Sequence, residues 1–309
     1  MLRPLVLDLH STGQPFDWAT TMNRNCAQPR MAWRVVAMAL SACAVLTLAF
    51  AAPLRAETGY DAWLRYAPID DRAVRERYDS LPAVVVTLGD SEVLAAAQTE
   101  LVRGVRGMFS RTLRESKTLP DEGAIVLGTY EAVLAAIPAA GEPPKLTPDG
   151  FWIKSLTVDG RNHLLIAAPN ERGVLYGAFT LLRMIGLEAP ISDLNLRDKP
   201  YAAIRILNHW DNLDGTIERG YAGRSIFWEN GHVVKDLSRV RDYARLMASV
   251  GINGCSINNV NADVRVISAD LLPEVARVAD VFRPYGVKLF LSLDFASPRK
   301  IGGIDTFDP

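Results

Sequence analysis

Three clusters of polar and aromatic side chains each follow a short apolar run in the 309-residue sequence. The first reads Asn208-His209-Trp210-Asp211-Asn212 and continues through Asp214, Glu218, Arg219 and Arg224. The second is Asn258-Asn259-Val260-Asn261-Ala262-Asp263, and the third is Asp294-Phe295-Ala296. Amides and carboxylates offer the donor and acceptor pairs that hydroxyl-rich ligands require. An indole such as Trp210 offers a flat face for C–H groups. Together these are the chemistry of carbohydrate binding. Asn258, Asn259 and Asn261 would supply hydrogen bonds, His209 and Asp211 flank the platform, and Arg224 or Arg219 would grip a ligand carboxylate in bidentate fashion. Taken singly, each has a plainer reading. Asp214 and Asp263 are common turn formers, Trp210 is more often core than platform, and the two arginines make weak loop ion pairs. Recurrence at consecutive strand ends favours a ligand site, because turn formation requires neither tryptophan nor repeated asparagine. His209 has no second histidine or cysteine at ligand spacing, so no metal is expected there.

The elements that would position these clusters alternate between strand and helix. Residues 203–207, 254–257 and 288–293 read as strands, and 237–250 and 271–282 as helices. Helices at this spacing imply parallel pairing through right-handed crossovers, in which ligand groups gather at the carboxyl ends of the strands. The pattern is that of the first strands and helices of a (β/α)8 TIM barrel or of a doubly wound sheet. With 109 residues after position 200 (309 − 200), against about 250 for a complete barrel, the chain is expected to be a fragment without a closing helix. An open start of this kind would expose a sheet edge and an apolar face.

Ahead of it the sequence predicts an α/β layered domain over 57–195. Strands are expected at 83–87, 124–128, 151–158 and 163–168, with a hairpin turn at Asp159-Gly160-Arg161-Asn162. Helices are expected at 91–113, with Leu94, Leu101, Val105, Met108 and Phe109 on one face, and at 173–185, with Gly186 as its cap. Prolines 190 and 200 bracket the expected junction, giving a second domain over 196–309. No GxGxxG or GxxxxGK[ST] pattern occurs, so no nucleotide cofactor is expected.

Residues 1–56 read as a leader. Arg30 and Arg34 precede an uncharged stretch over 35–54, long enough to span a bilayer, and Ala56 offers a cleavage site. Translation starting at Met31 would give a compact secretory signal, so an exported protein, periplasmic or extracellular, is expected, without stable membrane association after cleavage. A lipoprotein reading of Leu40-Ser41-Ala42-Cys43 is disfavoured because apolar residues continue well past Cys43. Of the cysteines at 26, 43 and 255 only Cys255 would remain, so the fold must stand without a disulfide. A net charge of 34 − 35 = −1 excludes a global basic field for nucleic acid.

Longer stretches carry a family resemblance. Residues 60–66 (YDAWLRY), 173–179 (GVLYGAF), 205–212 (RILNHWDN), 218–227 (ERGYAGRSIF) and 257–262 (INNVNA) are similar to the microbial α-glucuronidases of glycoside hydrolase family 67. The resemblance covers residues 57–309. It implies an amino-terminal α/β domain, a (β/α)8 catalytic barrel, and removal of α-1,2-linked glucuronic acid or its 4-O-methyl ether from glucuronoxylan-derived oligosaccharides with inversion. By similarity Trp210 lines the uronic acid pocket and Val260 lies near the O-methyl group. Asn258, Asn259 and Asp294 join them by strand-end position. The resemblance places the catalytic carboxylates on later strands, so none of Asp211, Asp214, Glu218, Asp263 or Asp294 is assigned as acid or base. The 309 residues alone are therefore expected to be inactive. No cofactor is implied, and a homodimer is left open for the full-length enzyme. Two rivals remain: a non-catalytic carbohydrate-binding remnant, and an exported glycosidase of other uronic acid specificity.

Overall fold

The computed structural model describes residues 64–261 and 263–303. The leader and the start of the YDAWLRY motif lie outside these residues. The described part belongs to one compact unit over Asp61–Pro309.

Its first layer is a six-stranded mixed sheet in the order β2-β1-β3-β5-β4-β6. The strands are β1 (Val84–Leu88), β2 (Arg114–Ser116), β3 (Ala124–Thr129), β4 (Phe151–Val158), β5 (Arg161–Ala168) and β6 (Asn195–Asp198). β1 pairs in parallel with β2 and β3, and β3 with β5, while β4 runs antiparallel to β5 and β6. Central strands buried on both faces read as continuous apolar runs, as β1 and β3 do. Val85, Ile125, Leu127, Ile153, Leu164 and Ile166 face the core that holds α2 (Glu92–Phe109) and α4 (Glu171–Gly186). Val84, Val86, Val126, Trp152 and Leu165 face a second core with α3 (Tyr130–Ala136). A short α1 (Arg72–Glu76) precedes β1. Leu94, Leu101, Val105, Met108 and Phe109 are all buried along α2, as their spacing predicts.

Several boundaries differ from the sequence expectation, each for a physical reason. α2 ends at Phe109 because Ser110 adopts the left-handed conformation (φ 56°), and the chain turns into β2, an exposed polar edge strand with no apolar period to betray it. The hairpin turn is the two residues Asp159 and Gly160, both at positive φ, which matches strand twist. Gly186 lies within α4, and the left-handed position after it is taken by Glu188 (φ 58°). The segment between the two prolines holds β6, so the boundary expected at 195/196 falls inside a strand of the first sheet.

The second layer is a three-stranded parallel sheet, ordered β11-β10-β7. It comprises β7 (Ile206–Asn208), β10 (Gly254–Ser256) and β11 (Lys288–Phe290), linked by α5 (Ser238–Ser249) and α6 (Leu272–Phe282). A minor hairpin, β8 (Trp228–Glu229) and β9 (His232–Val233), turns at Asn230-Gly231. A six-residue α7 (Ser297–Gly302) follows β11, where no helix was expected. Phe227, Trp228, Val240, Met247, Cys255, Ile257, Val278 and Phe282 form this layer's core. Three parallel strands with two crossover helices make an α/β arrangement. Among the described residues the outer edges of β7 and β11 have no strand partner, and Ile206 and Phe290 are exposed there.

Two buried ion-pair hubs join the layers. Asp149, at positive φ, accepts from Arg172 and Asn170 on one oxygen and from Arg205 and Asn253 on the other. Burial alone would raise its carboxyl, but hydrogen bonds from Arg205, Arg172 and Asn170 outweigh that and hold it below the usual carboxylate range. Glu100 of α2 takes a bidentate pair from Arg245 of α5 at 2.8 and 2.6 Å and a hydrogen bond from the Tyr66 hydroxyl. Arg205 immediately precedes β7, so the first hub fixes where that strand enters.

Candidate functional site

The carboxyl ends of β7 and β10 converge, as parallel pairing requires. Asp211, Asn212, Leu213, Asp214, Asn258, Asn259, Asn261, Asp263 and Arg265 line a cavity of about 370 Å3. Of the residues expected to form a site, Asp211, Asn258, Asn259 and Asn261 line it. Trp210 and Val260 lie beside them in the chain, 41% and 45% exposed. His209, Arg224 and Asp294 are not part of its wall.

The polar residues are tied into the protein by hydrogen bonds. Asn258 is buried, and both ends of its amide are engaged. Nδ2 donates to the Ser292 carbonyl and Oδ1 accepts from the Ser292 amide, both at 2.9 Å. It ties the end of β10 to the segment after β11. Asn259 donates to Asn212 Oδ1 at 3.1 Å and the Trp210 carbonyl at 3.5 Å, and accepts from the Asn261 amide at 2.9 Å. These asparagines tie neighbouring strand ends together, so they help to build the site. At the strand ends free surface belongs to Trp210 and Val260 among the apolar side chains, and to Asn208, Asp214, Asn261 and Asp263 among the polar ones.

The carboxylates are committed as well. Asp214 accepts from the Thr216 hydroxyl (2.7 Å) and amide (2.8 Å), which hold it below its usual range. Asp263 is lowered chiefly by hydrogen bonds from Arg265. Asp294 is lowered first by Lys300, 2.6 Å away, and it accepts from the Ala296 amide. It is therefore a local cap and ion pair. Asp211 is 1% exposed, with Oδ2 accepting from the Ser225 hydroxyl and Oδ1 lying 3.5 Å from His209 Nδ1. Arg224 is exposed, its backbone bridging Thr216. His209 packs inward, with Nε2 2.8 Å from the Tyr243 hydroxyl.

Ser225, Tyr243 and Ser292 were not read from the sequence as parts of this region. Ser225 lies inside the ERGYAGRSIF stretch, which was signal enough to examine it. Tyr243 is invisible without the α5 packing, because a tyrosine on an amphipathic helix reads as core. Its hydroxyl is raised by burial and by nearby Cys255 and Asp211. The Cys255 thiol, buried in β10, is pushed up to about 12, which leaves it a packing residue. Among the described residues no three His, Cys, Asp or Glu side chains gather as a metal-binding group.

Comparison with known proteins bears directly on this arrangement. Residues 62–181 match the glycosyl hydrolase family 67 N-terminus, and residues 184–309 match that family's middle domain. The chain belongs to glycoside hydrolase family 67. A probable α-glucuronidase A of Aspergillus clavatus is 43% identical to it over 259 residues, covering 82% of this chain and 30% of that protein. The α-glucuronidase of Hypocrea jecorina is 41% identical over 284 residues, covering 88% of this chain and 33% of that protein. The family 67 chain thus spans about a third or less of the length of these relatives. A solved family GH115 4-O-methyl-α-glucuronidase aligns with TM-score 0.46 and 15% identity, over 73% of this chain and 31% of that one.

Proposed function

We propose that this family 67 protein is an α-glucuronidase that removes α-1,2-linked glucuronic acid, or its 4-O-methyl ether, from xylan-derived oligosaccharides with inversion. The described segment supplies one wall of the uronic acid site. The observation that carries this is the division of labour at the ends of β7 and β10. Trp210 and Val260 present free apolar surface, while the buried Asn258 and Asn259 help to hold the strand ends together. An exposed indole fixed beside a polar cavity suits the C–H face of a pyranose. An exposed valine suits a methyl ether.

The acid and base of the reaction come from outside the described residues. Inverting hydrolysis requires two carboxyl groups about 6.5–9.5 Å apart, one protonated and one free to activate water. Asp211, Asp214 and Asp263 around the cavity are each engaged by a neighbouring side chain, which suits scaffolding better than proton transfer. The basic and apolar stretch over residues 30–56 supports export. Sequencing the amino terminus of the exported protein should then begin at Glu57.

Calorimetric titration of the whole protein with 4-O-methylglucuronic acid, glucuronic acid, glucose and xylose tests the reading. Binding of the two uronic acids, weakened by Trp210→Ala, is expected. Equal binding of the neutral sugars would overturn the uronic acid assignment and favour a general carbohydrate-binding role.

A further inference from the structure

Trp210 sits between two residues whose side chains point away from it into the protein. On one side, His209 is half-buried and stands edge-on to Phe227 (centroids 5.2 Å apart, 84°) and to Tyr243 (5.4 Å, 82°). The Tyr243 hydroxyl, kept protonated by burial, shares a hydrogen bond with His209 Nε2 at 2.8 Å. His209 Nδ1 lies 3.5 Å from Asp211 Oδ1. On the other side, Asp211 Oδ2 accepts from the Ser225 hydroxyl. The same Ser225 oxygen accepts from the amides of Phe227 and Trp228 at 3.0 Å each.

The backbone around the indole is equally held. The amide of His209 donates to the Ser256 carbonyl at 3.0 Å, and the Trp210 carbonyl accepts from the Glu218 amide at 2.9 Å. The Asp211 carbonyl accepts from the Asn259 amide at 2.8 Å. Trp210 is therefore an exposed residue clamped between two anchored ones. The anchoring is not what stability alone would select. Asp211 Oδ1 is buried and, with His209 Nδ1 3.5 Å away, accepts no hydrogen bond among the described residues, and a buried carboxylate oxygen in that state costs stability unless something else is gained. A rigid aromatic face loses less conformational freedom when a sugar stacks on it, and so binds more tightly for the same contact.

We infer that His209 and Asp211 are positioning residues for the Trp210 platform, acting through the backbone without touching the ligand. The inference rests on the proposed uronic acid site and deepens it. It also removes both residues from the set of direct sugar contacts.

A double-mutant cycle on the whole protein tests it, with 4-O-methylglucuronic acid as the probe and dissociation constants read by calorimetry. Asp211→Asn should weaken binding about tenfold when Trp210 is present and leave it unchanged when Trp210 is alanine. Ser225→Ala keeps the carboxylate, removes its anchor, and should show the same dependence with a smaller effect. It also serves if Asp211→Asn fails to fold. A loss of equal size in both backgrounds, for either variant, would overturn the inference, because direct contact or general loosening does not depend on Trp210. Unchanged affinity in Asp211→Asn and Ser225→Ala would overturn it too. If Trp210→Ala itself leaves affinity unchanged, the platform reading falls and the positioning claim with it.

Discussion

Asp149→Asn is expected to loosen the join between the two layers in a pH-dependent way. The carboxylate is 2% exposed. Arg172 reaches Oδ1 through Nε and Nη2, both at 2.8 Å, and Asn170 adds a third bond at 2.9 Å. Arg205 and Asn253 bond Oδ2 at 2.9 and 3.3 Å. The guanidinium groups are themselves only 20% and 15% exposed, so water replaces little of what is lost. Substitution by Asn removes the charge and turns one oxygen into a donor facing other donors. Leaving buried charges unpaired in this way costs about 3–5 kcal/mol. For a chain of this size that corresponds to a melting point lower by roughly 6–20 °C.

The sign of the pH effect follows from the direction of the shift. The folded carboxyl sits below its ordinary value, so the native state binds fewer protons than the unfolded chain near that pH. Its contribution is complete above the unfolded value, about 3.9, and is lost as pH falls through the folded one. The gap between wild type and Asp149→Asn should therefore be full at pH 7 and narrow below about pH 4. Urea denaturation followed by far-UV circular dichroism measures it at each pH. A gap under about 1 kcal/mol at pH 7, the worth of a surface pair, would refute the reasoning, as would a gap that stays constant on acidification.

Three further substitutions test other joints. Asn258→Ala leaves the Ser292 amide and carbonyl unmet and should cost about 1–3 kcal/mol, with faster hydrogen exchange at the Ser292 amide. Gly173→Ala places a Cβ 2.7 Å from Ala168 Cβ and against the Gly150 carbonyl. It should lower stability by about 1–3 kcal/mol, visible as a lower urea midpoint with unchanged slope. Val260→Ala should reduce any preference for the 4-O-methyl over the unmethylated acid by about 0.8 kcal/mol, roughly fourfold, in competitive titrations.

Much of the fold was legible because its central strands are unbroken β-branched runs and its helices carry sharp apolar periods. Val84–Leu88 and Glu92–Phe109 announce themselves in this way. Short polar strands do not: β2 and β6 have few apolar residues and exist because a neighbouring strand has an edge to be paired. The Asn230-Gly231 turn was a readable hairpin signal that went unread between Trp228 and Val233. At the candidate site, residue type pointed to the strand ends, while the hydrogen-bond partners of each side chain could not be read from it. Composition shows that Asn258, Asn259 and Asp211 are polar and follow strands. Only packing reveals that they are buried and that Ser292, Ser225 and the strand backbone consume their hydrogen bonds. Trp210 taken singly had the plainer reading of a core residue, yet it is exposed. Burial, which depends on contacts distant in sequence, decides between a residue that builds a site and one that faces its ligand.

The central claim is most directly tested by proton NMR of a family 67 protein in which these residues are joined to the later strands that carry the family's carboxylates, acting on an aldouronic oligosaccharide, one that carries 4-O-methylglucuronic acid α-1,2-linked to its terminal xylose. The account predicts release of the uronic acid, with the β-anomer appearing first and the α-anomer growing in only by mutarotation. First appearance of the α-anomer would contradict inversion. An intact oligosaccharide after prolonged incubation would contradict the assignment itself.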